Sequence, residues 1–184
     1  MSDPVRDLID RGAKARREGR PADALYAYSE AATGARENAS PELLAEALAG
    51  LGRIKIDVDD LDAALDHYRE VEQIRRALGE TIELAHTLRR MPDVLRHQQR
   101  LEEAEQAYIE AVSIYRGNES RCALDLANAL RGLALLAASK GLVGAAIDRW
   151  REARLLYEVV GIRAGVEESD RQLRNLAGSS PAER

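Results

Sequence analysis

An all-α chain built as a stack of helical hairpins, an α-solenoid, is predicted by three features of the sequence. Four aromatic residues, Tyr28, Tyr68, Tyr108 and Trp150, fall 40, 40 and 42 residues apart, each with an alanine four positions earlier: Ala24, Ala64, Ala104 and Ala146. A period of this size marks supersecondary units that cannot bury their own apolar faces and are stable only against their neighbours. Apolar residues return every three or four positions within segments of about 16 to 20 residues, and no segment sustains the alternation of a strand. Prolines and glycines sit at the ends of those segments, where helices start and stop.

Taken in order, the first helix is expected over Pro4 to Glu18, with Asp3 as a capping side chain ahead of a proline suited to the first turn. The second runs from Pro21 to Asn38, and the third from Pro41 to Val58, with Ser40-Pro41 repeating the signal of Asp3-Pro4. Then follow Leu61 to Leu78, Ile82 to Gln99, Leu101 to Arg116, Arg121 to Lys140, Val143 to Val160 and Arg163 to Ala177. Gly19, Gly79, Gly117, Gly141 and Gly161 each follow a periodic stretch, where a left-handed residue can close a helix. The 42-residue interval places two extra residues in the loop near Gly117 to Ser120. The whole reads as one domain, 1–177, of four hairpins (about 5–40, 41–80, 81–120 and 121–161) with a polar-faced terminal cap over 163–177. The tail, 178–184, reads as disordered.

Composition agrees with a soluble, compact helical chain: 45% apolar and 32% charged residues, five prolines and no phenylalanine in 184 residues. A net charge of -5 argues against nonspecific affinity for nucleic acid or an anionic membrane, while leaving room for a local basic patch. A single cysteine, Cys122, excludes an internal disulfide and fits a reducing compartment, the first twenty residues are too polar for a signal peptide, and no apolar run approaches a membrane span. The expected location is cytoplasmic.

Each hairpin resembles a tetratricopeptide repeat, in which small residues sit where two helices cross and an aromatic lies on the second helix. The residues that carry the resemblance are Leu8, Gly12, Ala24, Tyr28 and Ala31, then Leu48, Gly52, Ala64, Tyr68 and Val71. They continue as Leu88, Ala104, Tyr108 and Ala111, and as Leu130, Ala134, Ala146, Trp150 and Ala153, so that the resemblance spans Val5 to Val160. It implies a right-handed solenoid of four such hairpins plus the cap. The period of about 40 exceeds the 34 of the standard repeat, and is similar to the longer repeats of kinesin light chains and bacterial peptide-responsive regulators. Pro92 departs from the pattern, falling where the first two repeats have Gly12 and Gly52, and it removes a helical hydrogen bond to the Leu88 carbonyl, so a kink is expected there.

Catalytic constellations are scarce. His86 and His97 lie eleven residues apart, about 16 Å along a helix, too far to share a metal, and His67 is isolated. Asp57, Asp59, Asp60 and Asp62 lack the glycine and glutamate of a calcium loop, and helix capping explains them better. No enzymatic activity, cofactor or metal is expected.

In tetratricopeptide arrays the first helix of each hairpin lines the inner surface. Carrying those inward positions over gives Arg6, Ile9, Asp10, Ala13, Arg16 and Arg17 from the first repeat and Glu46, Ala49, Gly50, Arg53, Ile56 and Asp57 from the second. The third gives His86, Arg89, Arg90, Asp93, Arg96 and His97, and the fourth Asn128, Arg131 and Gly132 among others. Eight arginines stand there against four acids, in a protein that is acidic as a whole. Clustered guanidinium groups suit carboxylates through paired, planar hydrogen bonds. The expected function is noncatalytic binding of an acidic peptide segment of a partner protein, with Arg53, Arg89, Arg90, Arg96, His97, Asn128 and Arg131 as the contacting residues. The alternative is a self-associating scaffold using Leu155, Leu156, Val159 and Val160. Solvated arginines neutralised by local partners such as Asp93 and Glu46 would leave the surface without such a role.

Overall fold

A computed structural model describes residues 3–179. Among them are nine α-helices and no strand: α1 (Pro4–Arg17), α2 (Pro21–Glu37), α3 (Pro41–Asp57), α4 (Leu61–Leu78), α5 (Thr81–His97), α6 (Leu101–Arg116), α7 (Glu119–Ser139), α8 (Val143–Val159) and α9 (Arg163–Ser179). Two compact units divide the chain, Met1–Gln99 and Arg100–Arg184. In the first, α1/α2 and α3/α4 are hairpins, α2 packs on α3, and α5 packs on α4. In the second, α6 packs on α7, α7/α8 is a hairpin, and α9 packs on α8.

The period of the sequence is a period of packing. Ala24, Ala64, Ala104 and Ala146 are each wholly buried, as are the rings of Tyr68 and Trp150, with Tyr28 and Tyr108 nearly so. The three tyrosines each lie against a residue without a side chain. An added Cβ at Gly12 would stand 3.0 Å from the Tyr28 ring, and one at Gly50 would overlap it, so Tyr28 is received by both α1 and α3. Tyr68 lies against Gly52 in the same way, also at 3.0 Å. In the second unit Gly132 of α7 receives Tyr108, and Gly165 of α9 receives Tyr157. Burying such a ring stabilises by roughly 1.5–3 kcal/mol.

Helix ends follow local chemistry, with differences from expectation. Asp3 Oδ1 accepts from the Val5 N–H at 2.9 Å, and Asp60 Oδ1 accepts from the Ala63 N–H, which explains part of the acidic run before α4. Ser40 does not cap α3 with its side chain; its hydroxyl donates to the Asn38 carbonyl instead. Gly19, Gly79, Gly141 and Gly161 close helices in the left-handed region, whereas Gly117 stays right-handed at φ -64. α7 has non-helical angles at Cys122 (φ -121, ψ 18), so that a short helical turn from Glu119 precedes the kink and the continuous helix follows it, close to the start expected at Arg121. Ala39, Asp59 and Gln99 close α2, α3 and α5 at positive φ without being glycine. Their neighbours make the same closing bonds seen after Gly19: the Ser40 N–H reaches the Ala35 carbonyl just as the Arg20 N–H reaches that of Ala15.

Three further expectations are refined. α5 runs unbroken from Thr81 to His97 through Pro92, which is buried. α9 extends through Gly178 and Ser179, so the tail is shorter than predicted, and 180–184 lie outside the described residues. Cys122–Ser139 is, against expectation, long and apolar enough to cross a membrane by length and composition, with a mean hydropathy of 1.3. Leu126, Ala127, Leu130, Ala134 and Leu136 of that stretch are buried in the second unit, which accounts for its apolarity as a core helix.

Because Gly50 and Gly132 yield their side-chain space to a rigid ring, Gly132→Ala should overpack the α6/α7 contact and destabilise by about 1–3 kcal/mol. Gly144→Ala in α8, where an added Cβ meets nothing within 4 Å, should leave stability unchanged or slightly raised. Urea midpoints of the two variants check this; equal midpoints would remove the ring-and-glycine contact from the account of the fold.

Candidate functional site

Successive first helices of the first unit are tied by ion pairs. Arg6 of α1 makes a two-pronged contact with Glu46 of α3, and Arg16 of α1 holds Asp57 of α3 through Nε and Nη2 at 2.7 and 3.1 Å. Arg96 lies 4.0 Å from Asp93, one helical turn back on α5. Three of the four acids on the inward positions thus answer arginines of the same surface, though Glu46 takes Arg6 rather than Arg53. Exposed pairs of this kind are worth about 0.2–1 kcal/mol each, and they fix geometry more than they add stability.

Arg53 of α3 and Arg90 of α5 differ from these. Both are half-buried, and neither has a carboxylate partner among the described residues. Burial pulls the Arg90 guanidinium below its ordinary value; Tyr68 opposes this, and Arg53, Arg89 and Arg16 add to it as like charges. Arg16 shows the contrast, since the hydrogen bond to Asp57 raises its pKa. Tyr68 stands at the same place. Burial raises its phenol, with Arg90, Arg53 and Arg16 pulling the other way, and its buried hydroxyl has no hydrogen-bond partner among the described residues. Arg89 is half-buried beside Arg90, and His97 at the end of α5 is exposed. Of the predicted contact residues, Arg53, Arg89, Arg90, Arg96 and His97 therefore belong to α3 and α5 of the first unit.

Asn128 and Arg131 belong to α7 of the second unit, and both are engaged there. Arg131 forms a bidentate pair with Glu168 of α9, both bonds at 2.8 Å, and this hydrogen bonding raises its pKa. Asn128 Oδ1 accepts from the Tyr157 hydroxyl at 2.9 Å. The terminal helix thus meets, with an acidic side chain, an arginine predicted to receive an acidic ligand. A concavity in the same unit, with Ile109, Val112, Leu130 and Leu133 lining it, has Arg116 on its rim, but that cation is held by Glu152 at 2.7 Å.

Sequence reasoning placed the arginines but missed the Tyr68 hydroxyl and the role of Glu168. The first was legible in the register, because Arg90 stands 40 residues after Gly50 and 42 before Gly132, both ring-receiving glycines. The second depended on where α9 lands, for which the sequence has no repeat to follow.

Hairpins joined in series, with an aromatic of one helix received by glycine of the next, define a tetratricopeptide-type helical-repeat protein. Solved structures agree on the fold. BtubC (BKLC) from P. vanneervenii superposes with a TM-score of 0.74 at 19% identity, over 98% of this chain and 84% of that one. Aspartyl phosphate phosphatase F from Bacillus subtilis gives 0.82 at 13% identity, over 92% of this chain but only 45% of the phosphatase. Nearly identical kinesin-light-chain TPR-like repeats from Podospora anserina give 0.61 at 14% identity, over the full length of both chains. No protein-family model and no curated protein matches the sequence.

His67 of α4 offers a pH test of this surface's surroundings. Burial, with Lys55 and Arg36 nearby and Glu70 opposing, lowers its pKa below the ordinary 6.5. The unfolded chain therefore takes up a proton that the folded chain resists, so stability is fully present above 6.5 and falls as pH drops below it. Urea midpoints of the wild type should decline below that pH, and His67→Gln should flatten the decline; an unchanged slope would assign it to other groups.

Proposed function

We propose that the chain is a noncatalytic protein-interaction module that binds an acidic segment of a partner protein on the first helices of its repeats, in a cytoplasmic setting. The observation that carries this reading is the half-buried pair Arg53 and Arg90, whose charges have no carboxylate partner among the described residues. Arg6 and Arg16 already have internal partners, and Arg131 has Glu168. Binding energy for an anion is available where a guanidinium has been desolvated without compensation. Arg53, Arg89 and Arg90 are the central contacts, with Arg96 and His97 extending them along α5.

A glutamate-rich peptide titrated by fluorescence anisotropy tests the reading. Affinity should fall as salt rises from about 0.01 M to about 1 M, over which the screening length shrinks from about 30 Å to about 3 Å. Arg53→Glu should weaken binding at least tenfold, or about 1.4 kcal/mol, while Arg151→Glu on the exposed face of α8 should not. Binding that ignores salt and Arg53→Glu would overturn it.

A second reading, self-association, is favoured by the exposure of Leu155 (60%) and Val159 (81%) on α8; Leu156 is buried and takes no part in such a patch. A mass that rises with concentration in sedimentation, and returns to monomer in Leu155→Glu, would select it.

A further inference from the structure

Position 90 is where the repeat pattern yields to charge. Gly50 and Gly132, in the same register, have no side chain, and each receives the tyrosine of the preceding helix, Tyr28 and Tyr108. In the third repeat the residue is Arg90 and the preceding tyrosine is Tyr68. Glycine serves the packing at the other two junctions, so the guanidinium is not there to fill space. Its placement costs desolvation, which Tyr68 partly opposes, and Arg53, Arg89 and Arg16 add like charge around it. Of these, Arg16 is paired with Asp57, while Arg53 has no carboxylate partner among the described residues. Beside the cluster a second group is left unsatisfied, the Tyr68 hydroxyl, in a ring that is 0% exposed. A buried hydroxyl without a partner has lost its hydration without compensation.

We propose that Arg53, Arg90 and the Tyr68 hydroxyl form a seat for a phosphate dianion, so that the acidic segment bound by this surface carries a phosphorylated side chain. The inference rests on the docking surface proposed above and names the chemistry of its occupant. A phosphate monoester carries about -1.5 to -2 charges and three strong acceptor oxygens. Two guanidinium groups can each present paired N–H donors to those oxygens, and the phenol supplies a further donor. A single carboxylate offers one charge and two oxygens, which leaves part of the cluster unanswered. Arg89, adjoining on α5, adds to the field that holds the dianion.

The test uses the full chain labelled at arginine, with the Nε–Hε resonances read during titration by inorganic phosphate or by acetate at constant ionic strength. Phosphate should shift Arg53 and Arg90 saturably, with a midpoint at least tenfold below that of acetate. Arg90→Gly, the residue the other junctions use, should abolish the saturable response while melting no lower than the wild type. Tyr68→Phe keeps the ring, removes the unsatisfied hydroxyl, and should melt higher while binding phosphate at least threefold more weakly. Equal midpoints for the two anions, or a phosphate response unchanged in Arg90→Gly, would overturn the seat; Arg53→Gln replaces Arg90→Gly if the latter does not fold. A glutamate-rich peptide and the same peptide with one phosphoserine separate this inference from the broader one. Tighter binding of the phosphoserine peptide, lost in Arg90→Gly, supports both. Equal binding of the two peptides overturns the phosphate seat and leaves the acidic-segment reading standing. Saturable phosphate shifts with neither peptide bound support the seat and overturn the acidic-segment reading.

Discussion

The insertion of a rigid ring into space that a neighbouring helix leaves empty is the contact on which the rest of this structure depends. Helices can approach closely only where side chains are absent or small, and the alanines and glycines that permit the approach bury little apolar area themselves. The tyrosines supply that area in one piece. Tyr28, held between Gly12 and Gly50, joins three helices with a single side chain, and Tyr108 on Gly132 does the same work for α6 and α7. Every other feature of the first-helix surface follows from the spacing these contacts set. Once α1 and α3 are fixed side by side, Arg6 and Arg16 fall opposite Glu46 and Asp57.

That dependence explains what could be read in advance. The rings and alanines recur because each junction repeats the same steric problem, and recurrence is visible in a single sequence. Helix positions followed with them, to within a residue or two at most ends. Closure by Ala39 and Gln99 was not visible, because those residue types are rarely left-handed and the conformation accompanies the closing hydrogen bonds around them, while Asp59 is of a type that enters that region more readily. Gly117 failed in the opposite direction: glycine permits the left-handed state without requiring it, and a short turn into α7 did not use it. In the candidate site the arginines were legible as residues, but their partners were not. Glu46 sits on the same surface as both Arg6 and Arg53, and only three-dimensional placement assigns it to Arg6.

Charge on the first helices is therefore divided by function of position. Most of it is spent internally, and the arginines so spent are restrained and solvated. Arg53 and Arg90 are exceptions, and Arg90 is a cation where neighbouring repeats keep glycine, desolvated and set among like charges. The second unit shows the opposite outcome at Arg131, which Glu168 satisfies from within the chain. One surface type thus presents both an occupied and an unoccupied arginine.

The inter-helix pairs also make the repeats distinguishable from one another. The position held by Arg6 is Glu46 one repeat later and His86 two repeats later, so its chemistry changes at each step even though the rings do not. Ring packing alone would let any hairpin stack on any other, including a copy from a second chain. An Arg–Glu match between the first and second repeats is lost if a hairpin is skipped, duplicated or borrowed. Order along the array is thus written in the polar residues, and a chain assembled from shuffled repeats would keep its core yet lose its sequence of neighbours.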